Sequence, residues 1–158
     1  MKSSDQWSRF LLGLFVLALV SCTETEIDEE KPTITVNYAG GFPQTCENLG
    51  LGQSYTIKAK VADNLELASY SIEMHHNFDH HTHDDQAGEC ILEEQKSPTN
   101  PFVFSTNGRI PQGSTNYELD IDLIIPDGAD TGDYHLALSI TDVTGWQART
   151  SVDVKIVE

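Results

Sequence analysis

Basic side chains are scarce in this chain. Nine lysines and arginines stand against 25 aspartates and glutamates in 158 residues, a formal charge of −16 at pH 7. A field of that sign concentrates cations and repels phosphate backbones, which excludes nucleic acid as a partner. Cysteine is limited to Cys22, Cys46 and Cys90, too few for a disulfide-rich scaffold. One apolar run, LLGLFVLALV at 11–20, has ten residues, about half of the roughly 20 that a membrane-spanning helix needs. Catalytic signatures are missing as well: the sequence holds no G-x-S-x-G, no phosphate-cradling glycine loop and no H-E-x-x-H. From residue 33 onward no segment of any length carries a helical hydrophobic period, and an enzyme is not expected.

What is present begins with a leader. Lys2 and Arg9 flank the apolar run, which stops at Ser21-Cys22, the pattern of an export signal over residues 1–21. Leu19-Val20-Ser21-Cys22 resembles the lipobox of bacterial lipoproteins, which implies that Cys22 becomes the lipidated first residue. Acyl chains contribute about 0.8 kcal/mol per buried methylene, enough to anchor a domain on a membrane without embedding it. Residues 23–33, TETEIDEEKPT, are acidic with little to bury, so residues 22–32 are expected to form a flexible tether. The stretch resembles those following the lipid cysteine of surface-exposed outer-membrane lipoproteins, with a periplasmic placement as the alternative. Loss of residues 1–21 leaves 7 basic and 24 acidic residues, a net charge of −17.

From residue 33 to 158, short apolar and polar steps alternate between Gly, Pro, Asn and Asp clusters, the pattern of one all-β sandwich domain. Strands are expected at 33–38, 54–62, 68–76, 102–105, 117–125, 134–141 and 150–157, and seven suit an immunoglobulin-like fold. Asp130-Thr131-Gly132-Asp133-Tyr134 resembles the D-x-G-x-Y corner of such domains, in which the tyrosine points inward. The cysteine that antibody domains carry two places later is here Leu136, so the sandwich must rely on apolar packing.

Period two from Tyr134 sends Leu136, Leu138 and Ile140 to the core and turns His135, Ala137 and Ser139 outward. In strand 68–76 it buries Tyr70, Ile72 and Met74 and exposes Ser71, Glu73 and His75. The two strands are antiparallel neighbours in this fold, so His75 and His135 are expected side by side on one outer face. Cys46 and Cys90 fall at the same pole and, in an oxidising compartment, are expected to pair. Their loop of about 43 residues would contribute roughly 4 kcal/mol in the chain-entropy model. A Cys-His metal site is the other reading of these thiols.

The stretch HHNFDHHTHDD at 75–85 holds five of the six histidines. His81 and His83, at i and i+2 of an extended segment, point the same way and can meet one ion. The expected metal site is therefore His75, His81, His83 and His135, with Asp79 as orienting or alternative ligand; His76 and His80 compete for places in it. Imidazole suits zinc, copper, nickel or iron, and zinc or copper is the expected ion. Calcium is the rival, with oxygen ligands at Asp63-Asn64, Asp84-Asp85, Asp127 and Asp130 and on the face carrying Asp120 and Asp122, although none matches an EF-hand loop. Trp146, in a turn at the opposite pole, is read as a packing residue, with a sugar platform as the alternative.

Asp63-Asn64, Leu67-Ala68-Ser69-Tyr70, Met74 through His83, Ile125-Pro126, Gly132-Asp133-Tyr134-His135 and Thr141-Asp142 together resemble the immunoglobulin-like lipoproteins of Bacteroidota catalogued as a domain of unknown function. The likeness spans nearly all of 31–158; Met74 departs from its usual aliphatic residue and His76 from an asparagine. It implies an immunoglobulin-like fold and an envelope location, and no activity. The residues lead to a lipid-anchored protein that captures or hands over a metal, with an outer-membrane transporter or another surface protein as the expected partner. An adhesion or glycan-binding module is the alternative, and a metallohydrolase stands third, without a nameable general base.

Overall fold

The computed structural model describes residues 27–83 and 90–158. The leader, Cys22 and Asp84-Asp85 lie outside the described residues. Eight strands run in chain order: β1 (Thr33–Thr35), β2 (Glu47–Gly50), β3 (Ser54–Ala62), β4 (Leu67–His76), β5 (Phe104–Arg109), β6 (Asn116–Ile124), β7 (Gly132–Asp142) and β8 (Gln147–Val157). The described residues contain no helix, so none is long and apolar enough to cross a membrane. Three strands form one sheet in the order β1-β3-β6, and five form the other in the order β2-β8-β7-β4-β5.

Alternation builds the core between the sheets. Ile57, Ala59 and Val61 of β3 and Leu119 and Leu123 of β6 are buried from one side. Ile72 and Met74 of β4, Leu136, Leu138 and Ile140 of β7, and Val152, Val154 and Ile156 of β8 close it from the other. Each of these side chains except the Ala59 methyl contributes about 1.5–3 kcal/mol on full burial. Tyr134 is buried, and its hydroxyl donates to the Asp130 carbonyl at 2.7 Å while accepting from the Phe102 amide at 3.1 Å. That locks the turn before β7 and fixes which way the strand's odd residues face.

Strand ends shift by up to three residues, β1 stopping at Thr35 and not at 38 and β8 starting at Gln147 and not at 150, and the structure departs from expectation in three further places. β2 is an eighth strand, paired in parallel with β8, whose short polar sequence Glu-Asn-Leu-Gly buries only Leu49 and so carries no alternation to read. β5 lies at 104–109 and not at 102–105, because the Phe102 amide is engaged by Tyr134 and the polar run Ser105–Arg109 pairs along the edge of β4. Tyr70 is only partly buried, since β5 is a sheet-edge neighbour and gives little cover. At the other sheet, β6 is an edge strand of nine residues whose Glu118, Asp120 and Asp122 point outward.

The N-terminal segment is held before β1 begins. Asp28, within the expected tether, is buried, and the Trp146 indole N–H donates to its carbonyl at 3.0 Å. Lys31 lies over the same indole, 5.8 Å from the ring centre.

Candidate metal centre

The register between β4 and β7 places His75 directly opposite His135. After His76 the chain turns sharply. The Asn77 amide donates to the Asp133 carbonyl at 2.7 Å, and Phe78 is buried edge-on against Tyr134. His80 has a left-handed backbone, φ 59°, which sends residues 81–83 back over the outer face of the sheet. Gln95 donates to the Asp79 carbonyl and the Lys96 amide to the Phe78 carbonyl, so segment 90–96 straps the turn from outside. A Cys46–Cys90 disulfide fastens that strap to the residue preceding β2.

This fold-back brings His75, His81 and His83 together, with one ring nitrogen from each within 4.8 Å of the others. His75 Nε2 lies 3.1 Å from His81 Nε2. Two imidazoles on a tetrahedral metal at about 2.05 Å would sit about 3.3 Å apart, so this pair is already at ligand spacing. His81 Nδ1 is 2.6 Å from the Asp79 carboxylate. A carboxylate accepts, so Nδ1 carries the hydrogen and the Nε2 lone pair of the neutral ring faces the cluster. Asp79 is thus an orienting residue, and the contact holds its carboxyl below the ordinary 3.8.

Burial lowers the pKa of His75 below its ordinary 6.5, and the neighbouring His135, His81 and His83 push it the same way. A ring that stays neutral keeps its lone pair for a metal.

His135 lies at the floor of the cluster, its ring 4.7 Å from that of His83 and 5.0 Å from that of His81. It is fully buried beneath the returning loop, where sequence periodicity placed it on an outward row. Its Nδ1 faces the Asp153 carboxylate at 2.7 Å and its Nε2 the His81 carbonyl at 3.1 Å. With Nε2 against an acceptor, His135 stands outside the three-histidine donor set and supports the loop that bears His81. His76 stacks on Phe78 at 4.8 Å, away from the centre, and His80 contributes the turn.

Asp153 was absent from the expected site. Its signal was available, because it lies opposite His135 on β8, in the outward row Ser151, Asp153, Lys155. A groove lined by Glu73, Ser139, Gln147 and Arg149 runs from His75 and His83 across the same sheet face.

The rival oxygen ligands divide. Asp130 caps the Thr99 and Asn100 amides at 2.6 and 2.7 Å, and Asp120 pairs with Lys58 at 3.7 Å. Asp63 meets two other carboxylates at the opposite pole.

The model of one protein family, described as a domain of unknown function (DUF4625), matches residues 20–157, and the chain belongs to that family. No curated protein matches the sequence. Among solved structures, the sporulation control protein Spo0M from Bacillus subtilis is similar over 81% of this chain and 49% of that one, at 6% identity and a TM-score of 0.40. The chain thus spans about half the length of that protein, and a likeness of this degree says nothing about function.

Proposed function

We propose that this DUF4625 protein is an immunoglobulin-like, lipid-anchored envelope protein that binds zinc or copper through His75, His81 and His83, for capture or handover of the ion. One observation carries the reading: three imidazoles, two of them at ligand spacing, converge on a loop strapped down by a disulfide. Imidazole donors suit zinc and copper, and three protein ligands leave a fourth position for exchange with water or a receiving partner. The immunoglobulin-like assignment is supported by the tyrosine corner and by the split of strands into sheets of three and five. The lipobox-like ending at Cys22 supports the anchor, and an outer-membrane transporter or other surface protein would receive the ion.

Elemental analysis and calorimetric titration of the full chain with zinc chloride and copper(II) chloride at pH 7.5 test the proposal. One equivalent should bind at micromolar affinity or tighter, and His81→Ala and His83→Ala should each weaken binding by about tenfold or more, while His76→Ala should not. The absence of micromolar uptake of either ion would sink it.

A further inference from the structure

The opposite end of β7 holds a second cluster, chemically unlike the first. Asp142 closes β7, about seven residues and so about 23 Å from His135. There Asp28 of the N-terminal segment, Asp63 of the β3–β4 loop and Asp142 converge, with one carboxylate oxygen from each within 4.8 Å of the others. Asp28 is 9% and Asp142 only 2% exposed.

Asp63 and Asp142 each have one oxygen held by donors of their own loop and a second that is buried without a donor. Asp142 Oδ1 accepts from the amides of Thr144, Gly145 and Trp146 at 2.7–2.9 Å and from the Thr144 hydroxyl at 2.9 Å. Asp63 Oδ1 accepts from the amides of Leu65 and Glu66, both at 2.9 Å. The second oxygens, Asp142 Oδ2 and Asp63 Oδ2, are both buried without a hydrogen-bond donor. Asp28 accepts from the Asn64 side-chain amide and the Glu30 backbone amide through Oδ1, and its Oδ2 lies 3.2 Å from the Thr144 hydroxyl, sharing that group's one hydrogen with Asp142. Among the described residues, no ion pair joins a lysine or arginine to any of the three.

Three carboxylates packed together repel one another, and two buried oxygens without donors add a desolvation cost that native structures rarely leave uncompensated. A hard cation removes both problems. We propose that Asp28, Asp63 and Asp142 form a calcium site that pins the N-terminal segment to the β3–β4 and β7–β8 loops. Oxygen-only donors select calcium over the softer ions suited to the histidine centre, and its flexible coordination accepts ligands from three separate segments. The Thr144 hydroxyl, which touches both Asp28 and Asp142, offers a further oxygen, and water completes the shell. The Trp146 indole, bonded to the Asp28 carbonyl, positions the segment. The cation thereby sets where the tether ends and the rigid domain begins.

The test uses the full chain, purified in detergent and stripped with EGTA, with calcium chloride as the probe. Saturating calcium should raise the melting temperature by about 5–10 °C, the shift expected at roughly a hundred times the dissociation constant. Asp28→Asn and Asp63→Asn should each weaken calcium binding at least tenfold. Their melting points should also invert: in EGTA each variant melts at or above the parent, since one repelling charge is gone, and in calcium it melts below. Calcium should slow endoproteinase Glu-C cleavage after Glu29 and Glu30, and His81→Ala should keep the full calcium shift. A parent protein with no calcium heat and no shift overturns the proposal. So does a shift that persists in both aspartate variants, that disappears in His81→Ala, or that leaves Glu-C cleavage unchanged.

Discussion

Removing Asp79 separates a role in metal binding from a role in folding. Its carboxylate is 70% exposed and holds His81, 35% exposed, through a single 2.6 Å contact. An exposed pair of this kind contributes about 0–1 kcal/mol to stability, so Asp79→Ala should move the melting temperature by less than about 3 °C. Binding should change more. Without the carboxylate, His81 recovers about three staggered wells at χ1, two at χ2 and two tautomers, and one of roughly twelve combinations presents Nε2 to His75. That predicts a loss of zinc affinity of about tenfold, or about 1.4 kcal/mol, at the lower end of the range for residues that orient metal-bound histidines. Calorimetric titration with zinc at pH 7.5, beside a thermal melt of the metal-free protein, reads both quantities. Unchanged affinity would refute the orienting role, and a matching loss of stability would show that Asp79 serves the loop and not the ion.

Asp153→Ala should behave in the opposite way: the pair it forms with His135 is buried, with side chains 7% and 0% exposed. Stranding that ring N–H costs about 1–3 kcal/mol, visible as a lower denaturant midpoint in the metal-free protein. The pH dependence follows from His75, whose folded pKa lies below its ordinary 6.5 because burial disfavours the cation. Below pH 6.5 the unfolded chain takes up a proton that the folded state refuses, so stability is full above that range and falls as pH drops from about 7.5 through 6.5 toward the folded pKa. His75→Gln should flatten that part of a midpoint-versus-pH curve. Reducing the Cys46–Cys90 disulfide, with a separation of 44 residues, should lower stability by about 4 kcal/mol in the chain-entropy model, measured by denaturation with and without dithiothreitol.

The strands legible in the sequence were those that bury one face fully. The bounds 54–62 match β3 residue for residue, and Tyr134 correctly set the inward row of β7. From that row, the alternation of strand 68–76 and the pairing of the two strands in an immunoglobulin-like sheet came the adjacency of His75 and His135, which the register shows. Burial of His135 could not be read the same way. Period two assigns a residue to a face, but whether a loop covers that face depends on the left-handed turn at His80 and the contacts of Gln95 and Lys96, which leave no periodic trace. β2 and β5 escaped for a related reason: their pairing rests on backbone hydrogen bonds, and their side chains are mostly polar. The acidic cluster joins residues 28, 63 and 142, and only Asp63 of these was weighed as an oxygen ligand, while Asp142 entered as part of a resemblance.

The open side of β6 has a bearing on how concentrated solutions of this protein behave. Nine residues of unpaired backbone there offer a template for another copy to extend the sheet. Glu118, Asp120 and Asp122 stand along it at every second position, so two such edges approaching each other bring three negative charges against three. The barrier is ionic, and dissolved salt screens it. At about 1 M salt the screening length falls to roughly 3 Å, which leaves Tyr117, Ile121 and Ile124 beside a bare ladder. Storage in concentrated salt would then favour fibrous self-association.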